Sequence, residues 1–323
     1  MAGQRQNGLA EEINLKKSEL MTWNTDQLYW LMYKDADQEI LTSFERRVLK
    51  IAYPIAYWSL DRAVKQENLE GVITQLSGLL PDISSQYSNQ QFRGFVEKAV
   101  RALQAFQCQM ASDIFTSDLF ADKEQLTMVD IGDSSGLHSL CIKHLLKDKK
   151  KIETVSINLD QRAIEKIQSK GLRAILARAE DLELNENFDL LTSFQTVEHL
   201  LDPIGFLSRT ARKIDAEHFF ITLPFFKKSR VGLHHIKTNK TGPVYAEQTH
   251  IFELNPHDWS LLFQHSGWKI VKERIYYQYP RRIPVVNALL KWFWRIFDFE
   301  GYWGVLLRKD LTVSNYYQDW KDI

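Results

Sequence analysis

The sequence is short of several features that mark whole classes of protein. Its 323 residues include two cysteines, Cys108 and Cys141, and no CxxC pair, so a disulfide framework is excluded and nothing suggests a zinc or redox motif. Lys+Arg and Asp+Glu both number 41, so the chain lacks the basic excess typical of nucleic-acid-binding proteins. No run of about 18 apolar residues is present, so no segment is expected to span a bilayer. The first residues, MAGQRQNGLAEEINLKK, lack the apolar stretch of a secretory signal, and we expect a cytoplasmic protein.

What is present divides the chain into a helical part and an alternating part. Residues 1–20 are polar and are expected to form a flexible lead-in. In residues 21–120 apolar side chains recur at steps of three and four, which predicts helices interrupted at Pro54 and Pro81. Residues 121–310 alternate short apolar runs with amphipathic segments, which predicts an α/β domain with a doubly wound, mostly parallel sheet.

Three segments depart from this alternation. Residues 225–250 form an insertion that is too long for an ordinary connection, and such loops usually act as lids or binding loops. Residues 280–300 are rich in aromatic side chains and predict an amphipathic helix, which either packs on the sheet or lies at a membrane interface. Residues 311–323 are expected to be a C-terminal tail.

A small-residue turn follows the first predicted strand of the alternating part. The strand TMVDI (127–131) leads into GDSSG (132–136) and then into a predicted helix, so a ligand can approach the backbone and the helix N-terminus. No Gly-Lys-Ser/Thr follows, which excludes a P-loop. A carboxylate at Asp130 would repel a pyrophosphate but can pair with the ammonium group of an amino-acid ligand. With Ser134 in place of a second glycine, a nicotinamide oxidoreductase is the less favoured alternative.

The motif VDIGDSSG (129–136) resembles motif I of the class I S-adenosylmethionine (SAM)-dependent methyltransferases. The segments SINLD (156–160), ARAEDLEL (177–184) and FDLLTSFQTVEHLLDPIGFLSRTARKI (188–214) follow in the family's order, and the last is similar to the small-molecule enzymes related to ubiquinone and menaquinone biosynthesis. The resemblance extends from about Leu126 to Lys309. It implies a seven-stranded Rossmann-like sheet with an antiparallel last strand, and SAM as the cofactor.

The resemblance also implies which residues contact the cofactor. They are Asp130, Gly132, Ser134 and Gly136 toward the methionyl end, Asn158 and Asp160 toward the ribose, and Glu180 and Asp181 toward the adenine, together with Phe194. Asn158 stands where the family usually has a carboxylate, and an amide has one acceptor oxygen where a carboxylate has two. We therefore expect weaker or altered SAM binding.

Four histidines are candidates for a catalytic base. His199 follows the fourth predicted strand and either borders the acceptor or caps a helix, whereas His234, His235 and His250 lie in the insertion. The sequence QTVEH (195–199) is also similar to the E-x-x-E-H metal motif of some catechol and RNA 2′-O methyltransferases, with Glu198, His199 and a later histidine such as His250 as ligands. Gln195 replaces the first glutamate, and an amide is a poor ligand for a hard cation, so we expect no metal.

The sequence thus predicts a SAM-dependent methyltransferase that acts on oxygen of a small molecule or glycan by in-line displacement, with carbon methylation left open. We expect no nucleic-acid partner. A lipid-linked acceptor and a homodimer formed through the helical part are further expectations. The alternative is a non-catalytic interaction module with the methyltransferase fold, which is suggested by the departures from the family pattern at Ser134, Asn158 and Arg178.

Overall fold

The computed structural model describes residues 43–81, 83, 92–184, 186–231, 250–282, 284–296 and 300–317. Three helices precede the sheet: α1 (Ser43–Gln66), α2 (Glu70–Leu79) and α3 (Gly94–Phe115). The helices that follow are α4 (Leu137–Leu146), α5 (Gln161–Gln168), α6 (Pro203–Lys213), α7 (Pro256–His265) and α8 (Pro284–Ile296). The strands are β1 (Gln125–Ile131), β2 (Lys151–Asn158), β3 (Arg173–Leu176), β4 (Leu190–Phe194), β5 (His218–Phe225), β6 (Arg230–Val231), β7 (Phe252–Glu253), β8 (Trp268–Tyr277) and β9 (Gly301–Lys309).

Seven strands form one sheet in the order β3-β2-β1-β4-β5-β9-β8. The first five are parallel, and β9 runs antiparallel to both of its neighbours, β5 and β8. This arrangement confirms the predicted doubly wound, mostly parallel seven-stranded sheet whose last strand is antiparallel. A separate two-stranded sheet pairs β6 with β7, which the sequence did not predict.

The apolar runs form strands because both faces of the sheet are covered. Neighbouring residues of one strand enter opposite cores: Met128 and Leu190 belong to one hydrophobic cluster, Val129 and Leu191 to the other. The period of two in side-chain direction explains this division. The first cluster also contains side chains of α1, α2 and α3, so the helical part packs directly against one face of the sheet.

Two features of the helical elements bear on later arguments. Pro54 was expected to interrupt the helical part, but it lies inside α1, which continues to Gln66. Helix α8 is held to α1 where the indole Nε1 of Trp294 donates a 2.8 Å hydrogen bond to Oγ of Ser59, and the same Ser59 hydroxyl donates to the carbonyl of Gln278. Among the described residues, no helix is both long enough and apolar enough to cross a membrane.

Candidate active site

The candidate site lies at the carboxyl ends of β1 and β4. In the strand order, β2 and β3 lie on one side of β1 and β4 and β5 on the other, so the chain's winding direction reverses between β1 and β4. Open α/β sheets bind ligands at the carboxyl edge of their strands at such a reversal. The turn after β1 and the segment after β4 therefore border the natural ligand crevice of this fold.

Two glycines let the backbone of the turn after β1 pack closely against the side chains of Thr196 and Leu172. Gly132 has φ +91°, and a Cβ there would lie 2.2 Å from Oγ1 of Thr196, which follows β4. Gly136 has φ +74°, and its Cβ would meet a methyl group of Leu172 at 2.6 Å. Both positions therefore require glycine. Ser134 is not among the described residues with positive φ, so a side chain causes no backbone strain at this departure from the family pattern.

Asp133 holds the shape of this turn. One carboxylate oxygen, Oδ1, accepts hydrogen bonds from the backbone N–H groups of Ser135 (3.0 Å) and Gly136 (2.7 Å). The other, Oδ2, accepts from the hydroxyl of Ser156 on β2 at 2.6 Å. Both carboxylate oxygens thus have hydrogen-bond partners inside the protein, and the side chain connects the turn after β1 to β2.

The two residues expected at the ribose are also engaged with the backbone. Nδ2 of Asn158 donates to the carbonyl of Asp133 at 2.9 Å, and Oδ1 of Asn158 accepts from the N–H of Asp160 at 2.8 Å. Asp160 caps α5 by accepting from the N–H of Arg162, and the guanidinium of Arg162 lowers the pKa of Asp160. Asn158 therefore joins the β1 turn to the β2 turn. Its contact with the ribose stays a prediction.

The Asp130 side chain, near the end of β1, has an incomplete set of hydrogen bonds. Its side chain is buried, and Oδ1 accepts from the hydroxyl of Thr192 at 3.2 Å. Oδ2 has no hydrogen-bond partner, although Nδ1 of His138 lies 3.6 Å away. Burial raises the pKa of Asp130 well above its usual value, and the nearby Asp133 charge adds to the rise. Burial also lowers the pKa of His138 to about 4, so both shifts favour neutral groups and the contact is not an ion pair.

A buried polar chain connects this carboxylate to the helical part. Nε2 of His138 lies 2.8 Å from Oε1 of Gln107 on α3, and Nε2 of Gln107 donates to the hydroxyl of Thr222 on β5 at 2.8 Å. The His138 ring stacks on Phe194 with 4.1 Å between ring centroids. Phe194, an expected cofactor contact, thus lies beside the Asp130 site. Gln107, His138 and Thr222 were missed, since no sequence spacing signals a contact between residues 115 positions apart.

The residues expected near the adenine follow β3, at the same edge of the sheet. Glu180 and Asp181 lie in one short 3-10 turn, and Arg178 is within 3.7 Å of Glu180 and 3.6 Å of Asp181. The Glu180 side chain is largely buried, whereas that of Asp181 is exposed. Leu159, directly after β2, exposes about half of its surface. An exposed leucine at a ligand edge can pack on a flat ring, and the sequence analysis missed it.

These features fit SAM. A buried carboxylate oxygen without a partner suits the ammonium group of the methionyl end, and the two glycines keep the turn free of side chains where the backbone must come close. Asp133 and Asn158 fix the turn without occupying the Asp130 oxygen. The residues at the edge of β1, β2 and β3 therefore suit a molecule with an amino acid at one end and a nucleoside at the other.

A second cluster of titratable side chains lies beyond β4. Glu198, His199 and His250 offer ligand atoms that all lie within 4.8 Å of one another. The rings of His199 and His250 make a T-shaped contact with centroids 4.7 Å apart. The backbone N–H of Ile251 donates to the carbonyl of Glu198 at 2.9 Å, which fixes the His250 segment beside β4. Two of the four histidines expected at the acceptor are thus brought together. His234 and His235 lie outside the described residues.

The titratable groups of the second cluster interact in the order Glu198, His250, Glu253 and Arg230. Glu198 is fully buried, neither of its carboxylate oxygens has a hydrogen-bond partner among the described residues, and burial raises its pKa to about 7. Nδ1 of His250 lies 3.3 Å from Glu253, which in turn pairs with the guanidinium of Arg230. Burial opposes protonation of His250, but Glu253 and Glu198 outweigh it and raise the pKa of His250. Glu253 and Arg230, on β7 and β6, were missed because the two-stranded sheet was not predicted.

Gln195 separates the two clusters. It has φ +53°, a conformation that costs a non-glycine residue about 1 kcal/mol or more and that tends to occur at functional sites. Its Nε2 lies 3.4 Å from the hydroxyl of Thr222, so the amide joins the polar chain of Gln107. The first position of the metal motif therefore contributes its side chain to the first cluster and not to the second.

Comparison with known proteins identifies a methyltransferase domain in this chain. Residues 129–221 match the family model described as "Methyltransferase domain". No protein of curated function matches the chain. Similar solved structures include the O-methyltransferase of a trans-AT PKS multienzyme of Brevibacillus brevis (11% identity, 66% of this chain and 75% of that chain, TM-score 0.46). Others are a 1,6-didemethyltoxoflavin-N1-methyltransferase of Burkholderia thailandensis (14%, 63% and 78%, 0.44) and a geranyl diphosphate C-methyltransferase of Streptomyces coelicolor A3(2) (8%, 75% and 97%, 0.46). Likenesses at this level do not bear on which acceptor is methylated.

Proposed function

We propose that this chain, which contains a class I SAM-dependent methyltransferase domain, transfers a methyl group from SAM to an oxygen atom of a small molecule or glycan. The observation that carries the proposal is the buried carboxylate oxygen of Asp130, two residues before Gly132, which has no hydrogen-bond partner among the described residues. A protein keeps such an oxygen at a cost of about 1–3 kcal/mol unless a ligand satisfies it. The ammonium group of SAM is a ligand of the required charge.

SAM supplies an electrophilic methyl group on a sulfonium: the acceptor oxygen forms the new C–O bond while the C–S bond breaks, and its electron pair remains on sulfur. The protein's task is to align the two molecules and to let the acceptor lose its proton. Asp130 would hold the ammonium group of the cofactor's amino-acid end. The stacked rings of Phe194 and His138 would limit the movement of that end.

We assign loss of the acceptor's proton to the cluster of Glu198, His199 and His250. It lies one short segment beyond Thr196, whose side chain is close to Gly132, at the same edge of the sheet as the residues that would hold SAM. Its carboxylate and two imidazoles suit a hydroxyl acceptor, which must be deprotonated, better than a carbon already activated toward the methyl group. Oxygen is therefore the favoured atom, and a small molecule or glycan is the favoured acceptor for a chain of no net charge.

The first experiment is calorimetric titration of the full chain with SAM and with S-adenosylhomocysteine. Wild-type protein is expected to bind both, and Asp130→Asn is expected to lose most of its affinity for SAM. Asp148→Asn, in the exposed turn after α4, removes the same charge outside the site and should bind as the wild type does. Folded wild-type protein that binds neither ligand would overturn the enzyme assignment and favour a non-catalytic interaction module.

The exposed face of α8 supports a lipid-linked acceptor. Val285, Leu289 and Trp292 are 74%, 65% and 67% exposed and lie on one face of the helix at spacings of four and three residues. The exposed Arg281 and Arg282 precede the helix, and α8 contains no acidic residue. An apolar helix face beside basic side chains suits an anionic lipid surface.

Vesicle sedimentation tests this assignment. The full chain is expected to sediment with vesicles of phosphatidylcholine and phosphatidylserine, and Leu289→Ser to weaken that association. Leu201→Ser removes an equally exposed leucine near β4 and is the matched control. A chain that stays in the supernatant, with light scattering showing a dimer that Leu289→Ser dissociates, would replace the lipid contact by the expected homodimer.

A further inference from the structure

We propose that Glu198, His199 and His250 form a binding site for one divalent transition-metal ion. The three side chains come from two separate segments, the 3-10 turn after β4 and the second residue before β7, and their ligand atoms lie within 4.8 Å of one another. One carboxylate and two imidazoles are a donor set that selects cations such as Zn²⁺, Fe²⁺ or Co²⁺ over Mg²⁺. This proposal departs from the sequence-based expectation of no metal, which rested on Gln195 alone and which the titration below tests.

The state of Glu198 is the first argument. The residue is fully buried, and neither carboxylate oxygen has a hydrogen-bond partner in the described part of the chain. Removing a carboxylate from water without a partner is costly, and buried charges in proteins are paired or coordinate metals. No lysine or arginine nitrogen lies within ion-pair distance of Glu198 among the described residues, since the nearby guanidinium of Arg230 pairs with Glu253. A cation between Glu198 and the two rings would supply the missing partner.

The contact between His250 and Glu253 is the second argument. Nδ1 of His250 lies 3.3 Å from a carboxylate oxygen of Glu253, which leaves Nε2 as the nitrogen for a ligand. Metal-ligating histidines almost always donate their other ring N–H to a carboxylate or carbonyl, which fixes the tautomer and the ring orientation. Arg230 then holds Glu253 from its far side. His250 is therefore oriented by Glu253, and Glu253 by Arg230, as expected for a histidine that binds a metal ion.

The other cluster of this composition lacks these properties. Asp130, Asp133 and His138 also have ligand atoms within 4.8 Å of one another. Both oxygens of Asp133, however, accept hydrogen bonds from the protein, and Nε2 of His138 is bonded to Gln107. That cluster retains one unpartnered oxygen, which the proposed function assigns to the ammonium of SAM. The Glu198 cluster retains two, beside two imidazole rings.

A cation at this position would lower the pKa of an acceptor hydroxyl in contact with it, so that the proton leaves to water at neutral pH. With its three side chains bound to the cation, the cluster would promote loss of the acceptor's proton as a Lewis acid and not as a general base. The cation site rests on its own ligand geometry, and metal binding can be measured without an acceptor and without SAM.

The test is calorimetric titration of chelator-treated, dialysed full chain with ZnCl₂, repeated with CoCl₂ while recording the visible absorption of Co²⁺. One equivalent is expected to bind, with cobalt bands typical of nitrogen and oxygen ligands. Glu198→Gln and His250→Ala are expected to abolish binding, and Glu253→Gln to weaken it about 10- to 100-fold through the orientation of His250. His257→Ala, which removes an exposed histidine outside the cluster, is the matched control and should bind as the wild type does.

The outcomes separate the metal site from the proposed function. Sub-stoichiometric binding by wild type, or equal binding by wild type and Glu198→Gln, overturns the metal site. Titration with SAM checks that each variant is folded, because the Asp130 site is distinct from the cluster. Wild type that binds SAM but no metal refutes this inference alone, whereas wild type that binds metal but no SAM refutes the proposed function alone. A variant that binds neither is replaced by His199→Asn, which should keep SAM binding and lose the metal.

Discussion

Replacing Asp130 by asparagine is expected to change fold stability and SAM binding in opposite directions. Burial raises the pKa of Asp130 in the folded protein, while the unfolded chain has the ordinary value near 3.8. The folded state therefore binds the proton more tightly, so Asp130 lowers the free energy of unfolding progressively as pH rises from the unfolded pKa through the folded one. Each unit between the two pKa values corresponds to about 1.4 kcal/mol.

The neighbours of Asp130 can accept an amide. An asparagine keeps an oxygen for the hydroxyl of Thr192 and places an N–H opposite Nδ1 of His138. Nε2 of Gln107 donates to Thr222, so Oε1 of Gln107 accepts from Nε2 of His138 at 2.8 Å, and we infer that Nδ1 of the neutral ring is an acceptor. The variant thus replaces an unpartnered oxygen by a donor that faces an acceptor. We expect its free energy of unfolding at pH 8 to rise by about 1–3 kcal/mol, and the gain to disappear toward pH 4.

The same substitution removes the charge that the ammonium of SAM requires. A hydrogen bond to a charged group contributes about 1.5–3 kcal/mol, so the Kd for SAM should rise about 10- to 150-fold. In the wild type only the ionised form of Asp130 pairs with the ammonium, so SAM affinity is expected to fall as pH is lowered through the raised pKa of Asp130. Urea unfolding at pH 5 and pH 8, with calorimetry at the same pH values, measures both effects.

Asp133→Asn is the matched control, because it changes the same group three residues away. Oδ1 of Asp133 accepts from Ser135 and Gly136 and Oδ2 accepts from the hydroxyl of Ser156, so the amide must lose or reverse the short Ser156 bond and lose the charge that strengthens all three, which should destabilise the fold. Two aspartates three residues apart are thus expected to respond with opposite signs. An Asp130→Asn variant that is less stable than wild type at pH 8, or that binds SAM with the wild-type Kd, would refute the reasoning.

Three further substitutions test other parts of the molecule. Gly132→Ala should lower the free energy of unfolding by about 1–3 kcal/mol, because φ is +91° and the Cβ would lie 2.2 Å from Oγ1 of Thr196; an unchanged urea midpoint would contradict that contact. Arg101→Met should destabilise the fold by about 1–3 kcal/mol, because the buried guanidinium donates to the carbonyl of Leu80 at 2.6 Å; thermal unfolding at the wild-type temperature would count against it. Trp292→Ser should weaken vesicle sedimentation and leave the calorimetric Kd for SAM unchanged, and a change in that Kd instead would place the tryptophan at the cofactor.

The fold could be predicted from the sequence where local pattern decides the structure. The alternation of apolar runs and amphipathic segments predicted the α/β domain, the predicted strand 127–131 lies within β1, and the helix expected after residue 136 is α4. Pro54 shows where a local rule was overridden: a proline removes one helical hydrogen bond, yet Ala52, Ala56 and Leu60 are buried around it in the shared core and hold α1 together. Burial of a helix face contributes more than one lost bond costs.

The candidate site could be predicted only for residues that belong to a contiguous motif. Asp130, Gly132 and Gly136 lie in one contiguous segment, and the structure explains why each residue type stands there: both glycines have positive φ and close neighbours, and Asp130 is buried with one unpartnered oxygen among the described residues. Gln107 and Glu253 were not found, because their roles depend on contacts made by α3 and by a two-stranded sheet that leave no periodic signal in the sequence. Packing of distant elements decides such contacts.

The two clusters are instances of one arrangement at the same edge of the sheet. Within the described ranges, Asp130 and Glu198 are the carboxylates that have a buried oxygen without a hydrogen-bond partner. One lies near the end of β1 and the other just beyond β4, the neighbouring strands between which the winding direction reverses. The sheet brings both charges into the crevice, and no described lysine or arginine forms an ion pair with either. A cation from outside the chain would therefore stabilise the ionised form of each carboxylate, and the two surroundings suit different cations. Asp130 lies two residues before Gly132 and suits an organic ammonium group, whereas Glu198 lies beside two imidazoles that suit a metal ion.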